Sequence, residues 1–293
     1  MTESFLRYLQ YEKRYSAHTI QSYQTDLEQF SQFLTGTFPD FNPETADYGI
    51  IRSWIISLVD EEIDARSVNR KIACLRSFYK FLLKEEVITK NPMTKIRVLK
   101  TAKKLPQFIN EPDMNKILDQ VTFENTFEGW RDKLILELFY GTGIRLAELI
   151  GLKEQDIDRR NNTIKVLGKR NKERVIPYAK SINAVIDNYL SFKNSEEIRK
   201  GNRHLFVTND GEDCYPMMIY RTVRKYLNLF GNIDKRSPHV LRHTYATHLL
   251  NKGAEINAVK DLLGHSSLAA TQVYTHNSLE KLKKAFDQAH PKA

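Results

Sequence analysis

Residues 67–86, SVNRKIACLRSFYKFLLKEE, limit the possible folds more than any other stretch of the chain. Val68, Ile72, Leu75, Tyr79 and Leu82 recur every three or four residues and trace one buried face of a helix. Arg66, Arg70, Arg76, Lys80 and Lys84 fall on the other side. A solvated charge face is the ordinary reading of a basic helix. Here nearly every outward position carries the same sign, and like charges one turn apart destabilise a helix. A polyanion partner therefore gains weight. The charge distribution agrees. Residues 1–64 hold 4 Lys/Arg and 11 Asp/Glu, a net of −7, whereas residues 65–104 hold 12 Lys/Arg and 2 Glu, a net of +10. A localised basic surface of this kind is what phosphate binding requires. The overall net charge of +9 is weaker evidence by itself.

The rest of the chain is also mainly helical. In SAHTIQSYQTDLEQFSQFL the apolar positions Ile20, Tyr23, Leu27, Phe30 and Leu34 share a face behind a capping Ser16. ADYGIIRSWIISLVDE is a second apolar helix. After residue 91 the lysine-rich stretch between Pro92 and Pro106 loses its periodicity. This divides the chain into residues 1–97, a linker at 98–107, and residues 108–293. At 293 residues the chain can hold two domains, each with its own core. The second opens at an Asn110 cap with Pro112 in the first turn. EGWRDKLILELFYGTGIRLAELIGL predicts two helices around a flexible Gly-Thr-Gly break. TIKVL, GKRNK and ERVIP predict a hairpin of a small sheet, and helices follow to the end. A composition of 41% hydrophobic and 28% charged residues fits a globular protein. No apolar run reaches the roughly 18 residues of a membrane helix. Cys74 and Cys214 are too few and too far apart for a disulfide framework, so a cytoplasmic chain is expected.

HVLRHTYATHLL, residues 239–250, crowds three histidines and an arginine into one helix, with Ser237 and Pro238 capping it and Gly253 ending it. His239 and Arg242 stand three apart and share a face; His243 follows one turn after His239, and His248 lies on another side. A zinc site would want a third ligand and usually an acid between the histidines, which HVLRH lacks. Elsewhere, Arg145 follows the Gly-Thr-Gly break at a helix start, where a guanidinium and a helix N-terminus both favour a phosphate oxygen. Lys169 sits in the hairpin turn, His265 follows a helix-ending glycine, and Tyr274 comes nine residues later. Each of these alone is compatible with an ordinary structural role.

In their order, Arg145, Lys169, His239, Arg242, His265 and Tyr274 resemble the tyrosine recombinases of the phage integrase family, and within them the Xer-type site-specific recombinases. YGTGIRLAELIGL resembles the first-arginine box, VLGKRNKERVIPY the lysine hairpin, HVLRHTYATHLLNKGA the His-x-x-Arg box and LLGHSSLAATQVYTH the nucleophile box. SAHTIQSYQTDLEQF and SVNRKIACLRSFYKFL are similar to the family's core-binding domain. Two departures stand out: Arg170 occupies a position where the family often has glycine, and Tyr245 one where phenylalanine is common. Tyr245 is therefore a rival nucleophile to exclude.

The resemblance implies a mainly α, two-domain C-clamp. Its N-terminal helical-bundle, SAM-like domain would bind DNA, and a mostly helical catalytic domain would carry a small three-stranded antiparallel sheet. It implies that Tyr274 attacks a DNA phosphate, giving a 3′-phosphotyrosyl intermediate and a free 5′-hydroxyl. Arg145 and Arg242 would clamp the non-bridging oxygens. Lys169 would protonate the leaving 5′ oxygen, His239 would act as general base, and His265 would donate to the phosphate. The covalent intermediate stores the bond, so no ATP is needed, and the cations make a metal superfluous; no cofactor is expected. Thr19, Arg66, Arg70, Arg76, Lys80, Lys84, Lys103, Lys104, Arg221, Arg224 and Lys225 are the expected contacts to double-stranded DNA. The expected partners are a specific recombination site, a homotetramer or heterotetramer with a paralogous recombinase, and a DNA-translocase activator, with no membrane. The last helix would dock on a neighbouring protomer. Chromosome dimer resolution is the expected role. The alternatives are a mobile-element or phage integrase, type IB topoisomerase-like relaxation, and a non-catalytic DNA-binding protein.

Overall fold

The computed structural model describes the chain except for residues 103–106, 169–172, 196–201, 230–235, 265–275 and 293; of residues 276–281 it describes the backbone alone. The chain divides into two compact units, Met1–Lys104 and Leu105–Ala293, each around its own apolar core.

In the first unit, helix α1 (Thr2–Arg7) continues as a π-helical turn over Tyr8–Glu12. Helices α2 (Ala17–Thr37), α3 (Tyr48–Asp60) and α4 (Ala65–Lys84) follow. Each of these three starts on a capping side chain: Ser16 accepts from the Thr19 N–H, Asp47 from Ile50 and Asp64 from Arg66. The five stripe residues of α4 are all buried and meet Leu27, Phe30 and Trp54 in one core. The Phe30 and Trp54 rings pack at 4.8 Å. Past α4 the chain stays attached to this unit further than the sequence suggests. The Asn69 amide brackets the Leu99 backbone, donating to its carbonyl at 2.9 Å and accepting from its N–H at 2.7 Å.

In the second unit, α5 (Glu111–Asn115) begins at Asn110, whose side chain accepts from the Asp113 N–H at 2.8 Å. Helix α6 (Phe127–Thr142) is the axis of the unit; from residue 134 to 142 every side is buried, as expected of a helix surrounded by others. After α7 (Leu146–Ile150) come strands β1 (Ile157–Asp158), β2 (Thr163–Leu167) and β3 (Glu173–Pro177), an antiparallel sheet in the order β1-β2-β3. The β2–β3 register runs from Thr163 opposite Pro177 to Leu167 opposite Glu173. Helices α8 (Ile182–Ser195), α9 (Pro216–Leu227), α10 (Pro238–Asn251), α11 (Ile256–Leu263) and α12 (His276–Ala289) complete it. Among the described residues, no helix is long and apolar enough to cross a membrane.

Two local expectations are corrected. The Gly-Thr-Gly stretch is not a flexible break. Gly141 and Thr142 close α6, the Thr142 hydroxyl donates to the Leu138 carbonyl at 2.6 Å, and all three residues are buried. Ser237 stands at the N-cap of α10, but its hydroxyl makes no capping bond. In this single chain α12 packs on its own unit. Leu282, Phe286 and Ala289 join the core, the His290 ring stacks on Phe286 at 4.8 Å, and Lys292 reaches Asp119 at 2.7 Å. Apolar side chains at this helical spacing need a covered surface, and within one chain the neighbouring α10 and α11 supply it.

Candidate active site

The site begins where α6 ends. Gly143 adopts the left-handed conformation that closes the helix (φ +59), and a Cβ there would stand 2.5 Å from the Tyr245 ring. The sharp turn brings Arg145 to the N-cap of α7. One turn on, Glu148 accepts the Arg145 backbone N–H at 2.8 Å and its Nη1 at 2.7 Å. Helix α7 has five residues, so the positive charge here rests on the guanidinium rather than on a helix dipole.

Glu148 also binds a second arginine. Arg174, on β3, donates Nη1 to Oε1 at 2.6 Å and Nη2 to Oε2 at 2.7 Å. Its alternation with Ile176 turns it inward, and it is only 4% exposed. Burial alone would raise the Glu148 carboxyl, but the bonds from Arg174 and Arg145 outweigh it and hold the pKa at about 2. The carboxylate is therefore charged wherever the protein functions.

The end of α11 organises all three arginines. Its last carbonyls and that of the Gly264 cap lack helical partners, as at any helix C-terminus. Leu262 O accepts from Arg174 Nε at 3.2 Å, Leu263 O from Arg242 Nη2 at 2.7 Å, and Gly264 O from Arg145 Nη2 at 2.9 Å. The negative end of the helix dipole favours cations there. Arg242 also donates to the Gly143 carbonyl. Burial, then Arg145 and Arg174, lower its pKa to about 10, so it stays charged at neutral pH. The cluster holds three cations and one carboxylate, an anion-binding arrangement with two guanidinium planes fixed on adjacent carbonyls.

His239 lies one turn before Arg242 on α10, exposed and with no hydrogen-bond partner among the described residues. His243 is half-buried, and burial lowers its pKa. His248 is buried, with Nδ1 3.0 Å from the Tyr140 hydroxyl, a core role. Tyr245 is fully buried. Its hydroxyl has no partner among the described residues, and desolvation pushes the phenol up, against the pull of Arg242 and Arg174. Enclosed in this way, its hydroxyl is not presented at the surface where a DNA phosphate would bind. Lys169, His265 and Tyr274 lie outside the described residues; in sequence, Lys169 falls between β2 and β3 and His265 directly follows Gly264.

The expected DNA contacts separate into two groups. Arg66, Lys80, Arg221 and Arg224 are exposed and form no ion pair among the described residues. Others are already engaged. Arg70 binds the buried Asp26, Arg76 donates to the Ile96 carbonyl at 2.6 Å, Lys84 lies 3.4 Å from Glu12, and Lys225 lies 3.6 Å from Asp132. The Thr19 hydroxyl pairs with Ser16 at 2.9 Å. Lys103 and Lys104 lie outside the described residues. Sequence reasoning missed Glu148 and Arg174. The available signal was a charged residue in period-two phase with Ile176 on a strand.

Comparison with known proteins places these features in a family. The phage integrase family profile matches residues 107–281, and the phage integrase N-terminal SAM-like domain matches residues 2–86. A tyrosine recombinase XerC of Staphylococcus aureus (strain MRSA252) is 39% identical over 294 residues, covering 99% of this chain and 96% of that protein. A tyrosine recombinase XerC of Thermodesulfovibrio yellowstonii is 36% identical, covering 98% and 95%. Among solved structures, the XerH site-specific recombinase bound to palindromic difH substrate, in its post-cleavage complex, shares the fold. Its TM-score is 0.73 at 22% identity, covering 97% of this chain and 84% of that one. The chain belongs to the phage integrase family of tyrosine recombinases, enzymes that cut and rejoin DNA, and within it is XerC-like.

Proposed function

We propose that the chain recombines duplex DNA at a specific site by forming a 3′-phosphotyrosyl bond through Tyr274, and that its role is chromosome dimer resolution in the cytoplasm. The observation that carries the chemistry is the pair Arg145 and Arg242, held on neighbouring α11 carbonyls with their charge offset by a single carboxylate. In-line attack on a phosphodiester builds negative charge on the two non-bridging oxygens, and two planar cations oppose that charge. His239, exposed beside Arg242, is the proposed base. Lys169 is the proposed acid for the 5′ oxygen, and His265 a phosphate donor. The proposed domains are residues 1–97 for core DNA binding and 108–293 for catalysis, joined by 98–107. Arg66, Lys80, Arg221 and Arg224 supply backbone contacts. Full-length likeness to proteins named XerC supports the chromosomal role, and the proposed assembly on DNA is a homotetramer or a heterotetramer with a paralogous recombinase.

Trapping the protein on DNA in cells and sequencing the attached duplex yields the site. A duplex of that sequence, nicked beside the scissile phosphate, then gives a denaturant-resistant adduct in chelator with the wild type and none with Tyr274→Phe. An adduct that survives Tyr274→Phe, or one that forms only with added metal, sinks the mechanism. Trapped DNA that maps to mobile-element ends sinks the chromosomal role.

A further inference from the structure

We propose that Arg174 is a positioning residue for DNA cleavage: by engaging both oxygens of Glu148 it leaves the Arg145 guanidinium available to the scissile phosphate. The inference rests on the phosphate-binding reading of Arg145 and Arg242.

Glu148 poses a problem for such a site. It is an ionised carboxylate touching the arginine that has to bind a phosphate, and a carboxylate competes for the same guanidinium edge. The geometry resolves the conflict. Arg174 meets Glu148 fork to fork, one nitrogen on each oxygen. Each oxygen has one further bond, Oε1 with Arg145 Nη1 and Oε2 with the Arg145 backbone N–H. Glu148 therefore steadies the Arg145 side chain through one nitrogen instead of occupying its whole planar edge. Without Arg174, Glu148 keeps only its two bonds to Arg145, its charge is set against that guanidinium alone, and the local charge falls from two net positives to one. The transition state spreads two negative charges over the phosphate, so that loss weakens stabilisation where it is needed.

Arg174 is also fixed relative to the other two arginines. Its Nε takes the Leu262 carbonyl, next to the Leu263 carbonyl that holds Arg242 and two before the Gly264 carbonyl that holds Arg145. Gly264 adopts φ +62, and a Cβ there would stand 2.9 Å from Arg174 Cδ, so the α11 end closes directly over this side chain. Strand β3 is thereby tied to the carbonyls that set both phosphate-binding guanidiniums.

The test uses the full chain and the nicked site duplex recovered by trapping. Arg174→Met is expected to slow adduct formation about 100-fold, the size of effect seen when one oxyanion donor is lost. Affinity for the uncut duplex should change less than about threefold, since most binding comes from other phosphates. Arg174→Lys, a point charge without the fork, should fall between. The discriminating variant is Arg174→Met with Glu148→Gln: neutralising the carboxylate should restore at least about tenfold over Arg174→Met alone. A merely structural Arg174 gives no such recovery, because the double variant then loses packing twice. If Arg174→Met does not fold, by circular dichroism, Arg174→Lys and the double variant carry the comparison. Wild-type adduct with an equal rate in Arg174→Met, or a double variant no faster than the single, overturns this proposal alone. Absence of any wild-type adduct overturns the reading of function on which it rests.

Discussion

Tyr245 is a phenol in a space that suits a phenyl ring. Its ring closes over Gly143, in the turn that presents Arg145, and contacts the His290 ring at 5.5 Å, while its hydroxyl finds no partner among the described residues. A buried polar group left without a hydrogen bond costs roughly 1–3 kcal/mol of desolvation. Tyr245→Phe removes that oxygen and keeps the ring, so it should raise stability by about 1 kcal/mol in thermal unfolding and leave adduct formation within about twofold. A loss of adduct in this variant would keep Tyr245 on the list of nucleophiles. The sequence could not make this distinction. Tyr245 follows His239 and Arg242 on the same helix, and only the packing of α10 against the end of α6 shows that it faces inward. His248 is the opposite case, since its position off the His239–Arg242 face already marked it as structural, and its bond to Tyr140 agrees.

Helix α4 carries cations of two kinds. Lys71 is buried with its ammonium 2.9 Å from Asp26, and Arg70 takes the other oxygen of the same carboxylate. This ion cluster bolts α4 to α2 beneath the apolar stripe. Arg66 and Lys80, on the same helix, meet no acid among the described residues and face outward. Asp26→Asn strips the charge from the centre of the cluster and leaves Lys71 without its anion, which should cost about 3–5 kcal/mol in denaturant unfolding of this unit. Arg66→Ala and Lys80→Ala should leave unfolding unchanged, and each should lower the salt dependence of DNA binding by about one phosphate. Equal destabilisation by all three would mean that the two kinds of cation are not distinct. Periodicity made the stripe of α4 legible because it depends on neighbours along one helix. The role of each cation depends on Asp26, 44 residues away from Arg70, and no local pattern carries that information. Arg174 was missed for the same reason, since its partner Glu148 lies 26 residues earlier on another element.

At the scale of the whole molecule, the order of the boxes was readable because each one pairs a distinctive residue with a turn or cap. What the order did not convey is how much structure converges on the C-terminal end of α11, where one helix terminus fixes arginines from α10, the N-cap of α7 and β3. Helix α12 packs close to that assembly. It covers α10 and α11, and the His290 imidazole lies 3.2 Å from the Tyr140 carbonyl on α6. Burial first, with smaller contributions from His248 and Lys292, drives the His290 pKa down to about 4, so the ring is neutral at physiological pH and fits an apolar setting. The family resemblance implies that this helix docks on a neighbouring protomer. Docked as it is, α12 contributes Leu282, Phe286 and Ala289 to the core of its own unit. Burying a leucine or phenylalanine contributes about 1.5–3 kcal/mol each. A stop after residue 278 should therefore lower the melting transition of the second unit by on the order of 10 °C, and calorimetry should show the first unit's transition unmoved. An unchanged second transition together with lost recombination would favour a helix whose working position is on another protomer.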